Sequence, residues 1–231
     1  MEVFVKKDKM ATLVRSNYQL LPVINRFGIR LGFRDKSVEE ICREKDIIPE
    51  FFLAIINTFN NKDYFSKANL SSFSPLLIVN YLQKTHQYYI DYFLPKIENL
   101  LEKLISSCTD KCPELEMIRS FYKKYKNELM LHINDEDENV FPYVINLVKS
   151  HQKSNKDYAI QSFEKDHQNV EVKLNDLKNL VIKYIQPTYN DNDCNEFLIT
   201  LFRFEQDIND HARIEDNILV PQVKKIEADL G

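Results

Sequence analysis

The chain is 231 residues long with a net charge of -4, three glycines, eight prolines and no tryptophan. So little glycine beside abundant Leu, Ile, Lys, Glu and Asn excludes a turn-rich β architecture and favours long helices, and the acidic balance leaves no basic footprint for nucleic acid. Met1 to Met10 is charged and lacks the apolar run of a signal peptide, and nowhere do about 18 consecutive apolar residues occur, so the sequence predicts a cytoplasmic protein with no membrane partner.

In chain order, residues 11–65 carry short apolar bursts, LLPVINRFGIRLGF, SVEEICREKDI and PEFFLAIINTF, punctuated by Gly28, Gly32 and Pro49. These predict several short helices, a small N-terminal domain over 1–70. Ser37 followed by Glu40 reads as a capping box for a helix from Val38 to Lys45, and Pro49 suits the first turn of the next. The polar stretch Ser66 to Ser74, ending at Pro75, is a linker. From there four helical patterns follow, at 76–106, 114–149, 157–185 and 194–228. Short breaks between them predict an all-α, antiparallel four-helix bundle over 75–231. Pro95, Pro142 and Pro221 fall inside these patterns and should kink or locally break the helices. Of four cysteines, Cys108 and Cys112 are separated by three residues in the loop SSCTDKCP and Cys42 and Cys194 stand alone. All four read as free thiols in a reducing cytosol, with oxidation or metal binding of the loop pair as the alternative.

Two copies of His-x-x-x-Glu carry the chemistry: His132/Glu136 in LHINDEDENV and His211/Glu215 in HARIEDNILV. Residues four apart lie one above the other on a helix, about 6 Å of rise between them, so imidazole and carboxylate converge on one or two ions. With five histidines and eighteen glutamates in the chain, chance gives roughly 0.4 histidines with Glu at i+4. Three have it, His132, His167 and His211. Solvated i,i+4 charge pairs are the plain alternative. Against it, Leu129, Val140, Tyr143 and Leu147 share the stripe of the first motif, and Leu201, Phe204, Ile208 and Ile218 that of the last, which puts both motifs on faces that should be buried. Buried imidazole and carboxylate need partners, and their donor set suits iron, manganese or zinc.

Each bundle helix supplies at least one imidazole: His86 from the first, His132 with Glu136 from the second, His167 from the third, His211 with Glu215 from the fourth. Four histidines and two carboxylates give two metals about two terminal imidazoles each. The glutamates then bridge, and positions stay open for oxo, water or a diatomic ligand. That is a di-iron arrangement of two iron ions per chain, with zinc or manganese as substitutes.

Arranged this way, the chain resembles the hemerythrin-like di-iron proteins, and more closely the repair-of-iron-centres (RIC) family that mends iron–sulfur clusters after oxidative or nitrosative damage. That family places a small N-terminal helical domain before a four-helix bundle and contributes a lone His, His-x-x-x-Glu, a lone His and His-x-x-x-Glu in chain order, as His86, His132/Glu136, His167 and His211/Glu215 do here. The resemblance implies a non-haem di-iron centre bridged by Glu136, Glu215 and an oxo or hydroxo ligand. Oxygen-carrying hemerythrins place a histidine and an aspartate where this chain has Glu171 and Glu215, so Glu171 is read as ion-paired or supporting rather than as a ligand. In the N-terminal domain Phe27, Gly28 and Ile29 match the family's turn, but Leu31, Gly32 and Phe33 stand where it carries adjacent cysteines, which leaves docking or dimerisation as that domain's expected role.

Glu128, one turn before His132, and Asp166, beside His167, are candidate acceptors for imidazole N–H groups or equally plain surface charges; Tyr88 and Tyr89 near His86 either donate a phenolic hydrogen bond or pack. His151, in a polar break, reads as an exposed loop residue. The expected function is protection or repair of iron–sulfur and other iron centres under nitrosative or oxidative stress, by iron donation or nitric oxide reduction. Expected partners are damaged iron–sulfur proteins, NO and O2, and a second copy of the chain as a homodimer. The alternatives are an oxygen or nitric-oxide sensor without turnover, and a scaffold holding zinc or no metal. A ferritin-like oxidase fits poorly, since those bundles use Glu-x-x-His.

Overall fold

The computed structural model describes residues 3–61, 64, 72–108, 112–150, 167–185 and 189–230, the side chains of 167–171 excepted. The expected linker and His151 lie largely or wholly outside these residues.

Four short helices open the chain: α1 (Met10–Ser16), α2 (Leu20–Arg26), α3 (Val38–Glu44) and α4 (Pro49–Asn60). The capping box forms as the sequence predicts, Ser37 accepting from the Glu40 backbone N–H while the Glu40 side chain takes the Ser37 N–H. Pro49 opens α4, where its missing N–H costs nothing. Between α2 and α3 the chain turns through Gly28 at φ 74°, a conformation other side chains resist.

The bundle helices span 75–106, 113–150, His167–Tyr184 and 191–229. They form a ring in which the second packs on the first, the third on the second, and the fourth on the third and back on the first. Among the described residues the only β pairing is an isolated bridge, Lys9 to Ser37, and no helix is long and apolar enough to cross a membrane. The third helix is described from His167 onward; its expected start at 157 falls among residues 151–166, which lie outside the described set.

The three internal prolines do not break their helices. Each follows a five-residue π turn, Tyr89–Phe93 before Pro95, Glu136–Val140 before Pro142 and Glu215–Leu219 before Pro221. A proline in a helix lacks the N–H for the carbonyl four residues back and its ring collides with that carbonyl. The wider π turn accommodates both, at the position along each helix where the metal-ligand candidates sit.

The core falls into two clusters. One joins α1–α4 to Ile78, Leu82, Phe141, Leu147, Leu219 and Val223 of the bundle. The other fills the remaining length of the bundle, from Phe93 and Leu101 across to Ile118, Leu129, Leu177, Phe197 and Phe204. The N-terminal helices therefore share one core with an end of the bundle.

Candidate metal centre

Between these two apolar clusters lies a polar layer. His86 ends the first α segment of its helix, Glu136 and Glu215 open π turns on the second and fourth, and His132 and His211 precede them by one helical turn. Glu215 is fully buried and Glu136 and His86 are 1% exposed. His86 Nε2 stands 3.2 Å from His211 Nε2 and 2.9 Å from Glu136 Oε2. The other Glu136 oxygen is 3.0 Å from His132 Nε2, and His211 Nε2 is 3.0 Å from Glu215 Oε1. Ligand atoms of His86, Glu136, His211 and Glu215 all lie within 4.8 Å of one another. Of the six expected ligands, five meet in one layer. The sixth, His167, begins the third helix, and its side chain, like that of Glu171, lies outside the described residues.

Orientation of the rings tests whether this layer fits a cation. His86 Nδ1 donates to Asp137 Oδ1 across 3.1 Å, since a carboxylate only accepts, and the neutral ring then presents a bare Nε2 lone pair to the layer. That lone pair meets a Glu136 carboxylate oxygen at 2.9 Å, a contact that repels unless a proton or a metal ion sits between them. Burial opposes charging His86, but hydrogen bonds to Asp137 and Glu136 and the charges of Glu136 and Glu215 outweigh it and push its pKa up to about 10. In the protein alone a proton satisfies that demand; a metal ion bound by nitrogen and carboxylate oxygen satisfies it better. The residues fit a transition metal of the iron, manganese or zinc kind.

Apolar packing holds the ligands in place. The Phe141 ring stacks on His86 at 5.4 Å, and the Tyr89 ring lies 5.8 Å from that of His211. One turn before His211, Asp207 accepts from Tyr89 Oη at 2.8 Å and takes Nη2 of the buried Arg26 guanidinium between its two oxygens, at 2.8 and 2.7 Å. Arg26 also donates to Tyr81 Oη at 3.2 Å and lies over the Tyr88 ring. An arginine from α2 thus ties the N-terminal helices to the bundle beside the ligand layer.

The supporting residues differ from those expected. Glu128 pairs with Lys173 on the surface rather than with an imidazole, because it projects from the outer side of its helix. Asp166 lies outside the described residues. The acceptor for an imidazole N–H is Asp137, which the sequence reading did not single out. A signal for it exists in the repeat itself, HINDEDENVFP against HARIEDNILVP: both copies carry Glu-Asp, and a π turn opening at the Glu leaves the following Asp beside the layer. Cys108 and Cys112, expected as free thiols, are joined in a disulfide, while Cys42 and Cys194 are free and buried.

A four-helix bundle with imidazoles and carboxylates converging on a buried layer defines a cation-binding bundle of the hemerythrin type. Residues 77–223 match the model of the hemerythrin HHE cation binding domain, and the chain belongs to that family. It is similar to the iron-sulfur cluster repair protein ScdA of Staphylococcus haemolyticus, 22% identical over 183 residues that cover 79% of this chain and 82% of that protein. The ScdA protein of Staphylococcus epidermidis is 19% identical over 226 residues, 96% of this chain and the whole of that protein.

Proposed function

We propose that the chain is a non-haem iron protein that restores iron–sulfur and other iron centres damaged by nitrosative or oxidative stress, and that it does so with two iron ions. Glu136 carries this reading: its two oxygens face two different imidazoles, those of His86 and His132, as a carboxylate spanning two ions requires. His86, His132, His211, Glu136 and Glu215 would hold the iron, with His167 of the third helix as the sixth expected ligand. Iron there supplies reversible one-electron chemistry and open coordination for a small ligand or for release of the metal. The chain's own residues do the rest. Asp137 fixes the tautomer and direction of His86, strengthening its donation through Nε2. Phe141 and Tyr89 keep bulk water off the rings. The similarity to the ScdA repair proteins supports a damaged iron–sulfur protein as the client.

Purified protein is expected to contain close to two iron ions per chain and to restore activity to an iron–sulfur enzyme inactivated by nitric oxide. Iron donation and nitric oxide reduction are separated by following labelled iron into the client and nitric oxide consumption in parallel. Iron-loaded protein that neither transfers iron nor consumes nitric oxide refutes the proposal. Stoichiometric ligand binding without either activity identifies a sensor instead.

A further inference from the structure

The turn between the first and second bundle helices carries a second reactive group, far from the ligand layer. Cys108 follows the C-cap of the first helix and Cys112 is the N-cap of the second, and a disulfide joins their sulfurs with Cα atoms 6.6 Å apart. We propose that Cys108 and Cys112 form a thiol–disulfide exchange site that accepts two electrons from a dithiol reductant and is reoxidised by peroxide.

Accessibility is the first argument. Both cysteines are half-buried at the end of the bundle, whereas Cys42 and Cys194 are buried. Burial pushes the Cys42 thiol up to about 12 and raises that of Cys194, so neither competes as a nucleophile at neutral pH. Cys112 adds the second. It occupies the N-cap of a 23-residue helix, yet in the bridged form its side chain caps no backbone N–H. Once released, its thiolate lies at the positive end of the helix dipole, which stabilises the reduced form and makes this sulfur a good leaving group, against some opposition from Glu114 and Glu116 in the same turn. The third is that the bridge holds little of the fold. It closes a loop of only a few residues, which constrains the unfolded chain least, and the adjoining helices are held by Leu101, Leu104, Leu115 and Ile118.

In the reductive direction an incoming thiolate attacks one sulfur and the other leaves as thiolate. The donor's second thiol then attacks the mixed disulfide, forming the donor's own S–S bond as its bond to the protein breaks, and the donor's two protons end on Cys108 and Cys112. Reoxidation by hydrogen peroxide passes through a sulfenic acid on one cysteine, which the other thiol converts to the disulfide with loss of water. Some 22 residues separate His86 from Cys108, roughly 30 Å along the helix, so the redox state of this pair should leave the ligand layer unchanged.

The test equilibrates the full chain with mixtures of reduced and oxidised dithiothreitol, quenches in acid, alkylates free thiols and maps the label by mass. The proposal expects label on Cys108 and Cys112 to rise and fall together, the reduced-to-oxidised ratio of the pair changing tenfold for each tenfold change in the reagent ratio. Helix content and iron content should stay constant throughout, and Cys108→Ser and Cys112→Ser should each abolish the transition without loss of iron. Either thiol remaining labelled in the most oxidising mixture overturns the proposal. So does a bridge that yields only when the protein unfolds, which would make it structural.

Discussion

The two apolar clusters on either side of the ligand layer both draw on the first, second and fourth bundle helices, but only one of them also takes in α1–α4. The larger part of the bundle is closed by bundle residues alone, such as Leu101, Leu177 and Phe197. At the other end the bundle has no such self-contained core, and α1–α4 complete it. The difference follows from the layer itself. Buried carboxylates and imidazoles interrupt the apolar seam, three π turns lie along it, and beyond it the bundle segments pack both on each other and on the N-terminal helices. A metal-binding layer thus marks where packing by the bundle alone stops and where a second packing unit joins it.

Removing a shared carboxylate should produce the largest effect. Glu136→Ala or Glu215→Ala is expected to lower iron well below two per chain and to remove the stabilisation that bound metal confers, about 4 kcal/mol where free metal stands near a thousandfold over its dissociation constant. Iron analysis and denaturant melts with and without a chelator measure both. A chelator should lower the midpoint of the parent protein and leave that of the variants nearly unmoved; equal shifts would mean that these carboxylates do not hold the metal.

Next in size is the tie between the two ends. Arg26→Ala leaves Asp207 buried without its counter-charge, at a cost of about 3 kcal/mol or more in chemical denaturation. Adding Asp207→Asn should recover part of that loss. Failure to recover any of it would show that Arg26 acts through packing on the Tyr88 ring and not through charge. On the far side of the layer, Leu177→Ala removes a fully buried side chain and should cost about 2–3 kcal/mol with iron content unchanged. If iron falls as well, the two clusters are coupled more tightly than their separation by the ligand layer implies.

How much of this was legible in the sequence depended on whether spacing along one helix carried it. His132/Glu136 and His211/Glu215 could be read because i,i+4 spacing on an apolar stripe requires no knowledge of the partners, and the capping box at Ser37 is equally local. Asp137 was not legible in that way. Its role depends on a π turn that turns it toward a histidine 51 residues away, and the prolines that accompany those turns read as breaks because a regular helix cannot hold them. Glu128 stayed open between two readings for the converse reason: one turn from His132 is near along the helix axis, but its side faces Lys173, which makes it a surface charge. The Cys108–Cys112 bridge depends on how two helix ends meet, which spacing alone does not give, and Arg26 with Asp207 join positions 181 residues apart.

The smallest effect expected tests the N-terminal end through its own local chemistry. Ser37→Ala removes the α3 cap and should cost about 1 kcal/mol at neutral pH. The loss should depend on acidity in a definite direction. Hydrogen bonds from the Ser37 backbone and side chain hold the Glu40 carboxyl below its ordinary 4.5, so the folded state favours the ionised form. A depressed carboxylate contributes its stability above the unfolded value, and that contribution is lost as pH falls through the folded one. The gap between Ser37→Ala and the parent should therefore be constant from pH 7 to about 5 and narrow below 4.5, as Glu40 protonates in both. Because α3 belongs to the cluster that covers the ligand layer, iron content followed across the same melts shows whether loosening a cap so far from the ligands reaches them; iron release at the same midpoint as global unfolding is the outcome expected of a single shared core.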